Sequence, residues 1–295
     1  MILVYLNDQE KCHLTCRNNF YFWQVVFIFI TERQLIPQNK RKMKILVRLT
    51  GLFAVIFLIL NGCKKESASV PVFSDTTVNG QRILRFSGYD WLVGTSSDLT
   101  QGPGPNYYSD SKENVWLDQN GRLHLRITHI NNRWVCARIS MLQSFSYGRY
   151  LFELDSRIDN LDKNVVGGLF TYASDTQEID VEFSKWGVDG TTNSQFTVQP
   201  ASVNGNKKSF SYNLADAQST HWFNWQPNRI DFASFAGHST SLPAAAKIMQ
   251  QWSYSGTSIP PDSNETVHLN LWLYKGVPPS DLQEAEMIIS SVQIL

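Results

Sequence analysis

The sequence predicts an all-β protein whose main domain is a single antiparallel β-sandwich. Three observations carry this. From about residue 83 apolar side chains recur with period two, the spacing of strands rather than helices. The alternating segments are short and are separated by Gly-, Pro- and Asn-rich turns. No long stretch has a helical period, and only "PAAAKIMQQW" (243–252) reads as a short helix. Of 295 residues, 42% are hydrophobic and 13% aromatic, enough for one large core. No internal repeat and no second folded domain is expected.

In chain order, residues 1–42 read as a mis-assigned upstream extension. Met43 opens a better start, "MKILVRLTGLFAVIFLILNGC", with basic Lys44 and Arg48 and then an uncharged apolar run over 49–60. That run suits a signal-peptide core and is too short to span a bilayer comfortably. The rival is a true extension in which "FYFWQVVFIFI" (20–30) anchors to the membrane. Residues 43–62 end in "LNG" before Cys63, which resembles a bacterial lipobox in which the Cys is lipidated. Residues 63–82 are polar and read as a flexible tether, followed by the folded domain, 83–295. Cys12 and Cys16 lie in the extension, so Cys63 and Cys136 remain and no disulfide framework is expected. Cys12, His13 and Cys16 have no second ligand pair to make a metal site.

Within the domain, "VWLDQNGRLHLRITHI" (115–130) is a hairpin. Leu123, Leu125 and Ile127 alternate with Arg122, His124, Arg126 and Thr128, and Asn120-Gly121 supplies the turn. "GRYLFELDSRI" places Tyr150, Phe152 and Leu154 on one face. Further strands are expected in "NVVGGLFTYA", "EIDVEF", "NSQFTVQP" and "KKSFSYNL". "HWFNWQPNRIDFASF" turns at Pro227-Asn228, and "VHLNLWLY" and "EMIISSVQIL" close the chain. About a dozen short strands make a sandwich. The 26 basic and 26 acidic residues balance, so there is no electrostatic footprint for nucleic acid.

In "QEIDVEF" (177–183), Glu178, Asp180 and Glu182 fall on one strand face and Ile179 and Val181 on the other. Taken alone, this is more simply an acidic exposed face than a site. Strands usually avoid such clusters, because like charges do not stabilise neighbours. Glu178 and Glu182 have backbones about 13 Å apart, at roughly 3.3 Å per residue, and two leaning Glu side chains can close much of that gap. A separation of roughly 5–5.5 Å suits a retaining glycosidase. Three like charges on one face should raise at least one pKa, as a general acid requires.

"EIDVEF" resembles the Glu-x-Asp-x-Glu signature of glycoside hydrolase family 16. "SYGRYLFELDSRI", "GLFTY", "SQFTVQP", "FNWQPNRIDF" and "LNLW" resemble, in order, strands of its bacterial lichenase branch over about residues 86–295. The resemblance implies a concanavalin A-like jelly roll with a concave glycan cleft and a retaining, double-displacement mechanism on β-glucan-type polysaccharides. It implies Glu178 as nucleophile, Asp180 as assisting acid and Glu182 as general acid/base. No extra residue separates Asp180 from Glu182, which leans toward the lichenase and xyloglucan-type branch. The walls depart from the lichenase pattern: Arg138 falls where an acid is usual, Thr176-Gln177 replaces Trp-Asp, Gln199 replaces a Tyr, and His221 is out of register.

Six residues are expected at the substrate: Gln195 beside the acids, Arg138 in a distal subsite, Tyr107 and Tyr108 in the loop "QGPGPNYYSDS", Trp186 soon after the acids, and Trp272 in "LNLW". Trp272 reads equally well as core. His124 and His129 read as surface residues. No cofactor and no catalytic metal is expected; a structural calcium has no sequence support. The expected partner is a polysaccharide, and the expected state is a monomer on the bacterial cell envelope, touching the membrane only through the lipid on Cys63. A transglycosylase on the same scaffold and a non-catalytic glycan-binding lipoprotein remain open.

Overall fold

The computed structural model describes residues 73–190 and 192–295. The extension, signal segment and Cys63 lie outside the described residues. The regular structure of the described chain is almost wholly β. Its strands are β1 (Ser74–Val78), β2 (Gln81–Phe86), β3 (Tyr89–Val93), β4 (Tyr107–Tyr108), β5 (Val115–Leu117) and β6 (Leu123–Ile130). They continue as β7 (Arg133–Ser144), β8 (Gly148–Asp155), β9 (Val165–Ser174), β10 (Gln177–Phe183), β11 (Ser194–Val198) and β12 (Lys207–Phe210). The last five are β13 (Gln218–Gln226), β14 (Arg229–Ala236), β15 (Ile248–Tyr254), β16 (Thr266–Leu273) and β17 (Ala285–Ile294).

They form two antiparallel layers. One runs β1-β2-β3-β7-β16-β9-β10-β11-β12. The other runs β5-β6-β17-β8-β13-β14-β15. The β6–β7 hairpin joins them, pairing Thr128 with Val135. The short β4 adds to β7 in parallel.

Alternation builds the core between the layers. Ile179, Val181 and Phe183 of β10 and Phe196 and Val198 of β11 are fully buried from one side, and Tyr150, Phe152, Phe223 and Phe232 from the other. Phe196 stacks on Phe232 at 4.9 Å between ring centroids, so the layers interdigitate through aromatic rings directly behind the acid-bearing strand. Each large ring removes on the order of 150–250 Å² from water. That packing holds β10 rigid while its opposite face carries charge.

Three expectations need correction. The tether does not reach residue 82, because β1 pairs with β2 from Ser74↔Arg85 to Val78↔Gln81. The turn is Asn79-Gly80, both at positive φ (52° and 79°), the pair that favours two-residue hairpins. Asp75 accepts two hydrogen bonds from the Arg82 guanidinium, each 2.8 Å, and pins the hairpin. The expected helix in 243–252 is one 3-10 turn, Ala245–Lys247, running into strand β15. Pairing with β14 prevails there, and Trp252 stacks on Phe232 at 5.2 Å. His124 is not a surface residue: it is 8% exposed, stacked on Trp116 and in contact with Glu286.

Candidate active site

The register of the first layer assembles the site. Directly opposed residues project to the same face. One row runs Arg138–Asn270–Gly168–Glu182–Gln195 across β7, β16, β9, β10 and β11. The next runs Ser140–His268–Phe170–Asp180–Thr197–Lys207 and reaches β12. A third runs Thr266–Tyr172–Glu178. These rows floor a cleft of about 410 Å³ lined by the three acids, Arg138, Phe170, Tyr172, His268, Asn270 and Trp272, among others. Gly168 lets the Asn270 amide lie across the strand, since a Cβ there would collide with Asn270 Oδ1.

The three acids sit in different surroundings. Asp180 is 2% exposed, while Glu178 and Glu182 are half-buried. Burial pushes the Glu178 carboxyl above its ordinary range, opposed by a hydrogen bond from Asp180. Asp180 is pushed well above its range, first by burial and then by the charges of Glu178 and Glu182. Burial also raises Glu182 to about 7, opposed by its hydrogen bond from Gln195 and by the charge of Lys207. All three carboxyls are thus held above their ordinary ranges, with the Asp180 hydrogen bond favouring the charged form of Glu178. That asymmetry is what separates a proton donor from a nucleophile.

Amides hold this arrangement. Gln195 Nε2 donates to Glu182 Oε2 at 2.7 Å and to Thr197 Oγ1 at 3.0 Å. Gln199 Nε2 donates to Asp180 Oδ2 at 3.0 Å. His268 stacks on Phe170 at 5.2 Å, and burial pushes it down to about 4, so it stays neutral at physiological pH. No group of three or more His, Cys, Asp or Glu side chains placed to hold a metal ion occurs among the described residues.

The structure distributes the expected substrate residues unevenly. Arg138 and Trp272 line the cleft. The Arg138 guanidinium donates to Gly102 O at 3.2 Å and to Gln101, and lies 4.4 Å above the Tyr108 ring. Gln195 is 7% exposed and bonds an acid instead of lining the cleft. Trp186 stands behind the wall, edge-on to Trp272 and Tyr274. The two loop tyrosines are a correction, since neither lines the cleft. Parallel pairing of β4 on β7 turns them to opposite sides. Tyr108 is 2% exposed beneath Arg138, and Tyr107 faces a separate groove against Arg133.

Phe170, Tyr172, His268 and Asn270 were not singled out from the sequence. The signal was present: Phe170 and Tyr172 alternate along "GLFTY", and His268, Asn270 and Trp272 along "VHLNLW". What was missing was the cross-strand register that brings both faces beside the acids. His221, out of register in sequence, lies fully buried behind Phe183, with its two ring nitrogens against Ser234 and Ser219.

Two antiparallel layers with a cleft across one of them define a jelly-roll type of β-sandwich. More narrowly, the fold is that of β-glucanases of known structure. A β-glucanase of Bacillus subtilis (strain 168) is 24% identical over 249 residues, covering 82% of this chain and 89% of that protein. A β-1,3-glucanase from Mycobacterium marinum superposes with a TM-score of 0.53 at 21% identity, over 70% of this chain and 90% of that one. A pseudo β-1,3-glucanase of Mycobacterium tuberculosis superposes with a TM-score of 0.52 at 18% identity, over 70% and 90%. No protein-family model matches the chain.

Proposed function

We propose that this protein is a retaining, endo-acting glycoside hydrolase that cleaves β-glucan-type polysaccharides by double displacement. The observation that carries the reading is the placement of Glu178, Asp180 and Glu182 on one face of β10, floored into a single cleft. The similarity to β-glucanases supports it at the level of the fold and of distant sequence relatives.

In this reading the ionised Glu178 attacks the anomeric carbon and forms a covalent glycosyl–enzyme. Glu182, protonated at the start, gives its proton to the departing glycosidic oxygen. It then takes a proton from the water that releases the sugar. A carboxyl that titrates at about 7 can do both near neutral pH. Asp180 stays protonated between the two and donates to Glu178. Phe170, Tyr172 and Trp272 offer rings to sugar faces, and Arg138 and Asn270 offer polar groups to hydroxyls. The scheme itself calls on no cofactor.

We also infer that the mature chain begins at a lipidated Cys63 and works on the bacterial cell envelope as a monomer.

The test of function is product analysis on a panel of β-glucans, with Glu178→Ala beside the wild type. Shortened chains are expected. Glu178→Ala should lose activity on the order of a thousandfold or more and regain it with azide as an inverted glycosyl azide. Rearranged chains of unchanged total length would mark a transglycosylase. Tight glycan binding without turnover would mark a binding protein.

A further inference from the structure

Gln199 stands where the lichenase pattern has a Tyr, yet its backbone N–H and both ends of its side-chain amide are already engaged inside the protein. Its backbone N–H donates to Glu178 O at 3.0 Å. Its side-chain Oε1 accepts from Ala201 N at 2.7 Å, and its Nε2 donates to Asp180 Oδ2 at 3.0 Å. The Ala201 bond fixes which end of the amide is oxygen, so the end facing Asp180 can only donate. An oxygen that accepts from that amide leaves the acid proton of Asp180 to its other oxygen, and Asp180 donates a hydrogen bond to Glu178.

We propose that Gln199 is a positioning residue: through Ala201 N–H → Gln199 → Asp180 it orients the Asp180 acid proton onto Glu178, selecting Glu178 as the ionised nucleophile. This rests on the double displacement proposed above. It explains how a Tyr can be absent from that wall while the acids stay ordered. It also gives the middle acid a fixed direction in an otherwise near-symmetric row of carboxyls.

Other charges face the same groups. Asp175, bonded to Tyr172 Oη, raises Glu178 from the β9 end. Glu182 raises Asp180 from its own strand. His268 is neutral on β16, Arg138 lies on β7, and Lys207 acts on Glu182 from β12. None of these supplies a donor to Asp180, whose hydrogen bonds are with Glu178 and Gln199.

The test uses Gln199→Met, which keeps length and removes the bonds, and Gln199→Glu. The latter keeps size and the acceptor for Ala201 but presents an acceptor to Asp180 once ionised. In both variants Asp180 keeps its proton but loses the bond that points it at Glu178, so the Glu178 carboxylate is less favoured and the acidic limb of kcat/KM should move to higher pH. We expect kcat to fall ~10-fold with KM within about twofold. A raised KM with an unmoved limb would make Gln199 a wall residue and overturn the proposal, as would unchanged kinetics. Should Gln199→Met fail to fold, Gln199→Glu decides. Should the wild type hydrolyse no glycan, the functional reading fails first. Carbon-13 titration of the carboxyls then decides this one: uncoupling of Asp180 from Glu178 in Gln199→Met upholds it, and an unaltered titration overturns it.

Discussion

At the scale of single residues, the account turns on Glu182. Its carboxyl is held at about 7 against an ordinary 4.5, chiefly by burial. Between those two values the folded protein keeps a proton that the unfolded chain has released. The folded state therefore binds more protons, and stability falls as pH rises through that window. Glu182→Gln removes the ionisation. We expect the variant to be more stable than wild type at pH 8, by about 1–3 kcal/mol, with no gain at pH 4. Denaturant midpoints at the two pH values check this, and an equal effect at both would show that Glu182 ionises normally. The same variant should lose activity, because an amide cannot give a proton to the leaving oxygen. Greater stability and lost activity at one position are the expected mark of a site that stores strain for function.

At the scale of elements, the pairing of β9 with β16 and β10 makes the cleft. Gly168 lies between Asn270 and Glu182 in that register. A methyl group there must displace the Asn270 amide from its place on the cleft floor. Gly168→Ala should cut kcat/KM at least ~10-fold while the fold survives, as circular dichroism and steady-state rates on the best substrate would show. Unchanged rates would mean that Asn270 has room that the packing denies it.

This is also the scale at which the sequence was most and least legible. The alternation in "EIDVEF", "GRYLFELD" and the 115–130 segment marked inward and outward faces, because a strand buried on one side must repeat every two residues. Non-local pairing left weaker marks. Nothing near Tyr107 and Tyr108 announced that β4 would pair in parallel with β7 and bury Tyr108 beneath Arg138. The Ala-rich 243–252 segment had local helical preference, and the sheet edge at β14 overrode it. Asn79-Gly80 was a readable hairpin signal in a stretch whose polarity suggested a tether. The acids could be found from spacing, whereas Gln199 could not, because its bond to Asp180 depends on how the chain leaves β11.

At the scale of the whole molecule, the proposed glycan cleft goes with a proposed lipid at Cys63. A lipid chain at Cys63 would add membrane affinity to the sandwich. Cys63→Ser should release the protein from membranes or block its processing, as fractionation and the mass of the mature chain would show. A processed Cys63→Ser form that still sediments with membranes would remove the lipid anchor from the account. The mechanism, however, stands apart from location and is tested most directly by stereochemistry. Proton NMR of the first product formed by the wild-type enzyme, before mutarotation, reports the anomeric configuration. Double displacement through Glu178 predicts the same β configuration as the bond cleaved. The α anomer as first product would mean a single displacement by water and would contradict the roles given to Glu178 and Glu182.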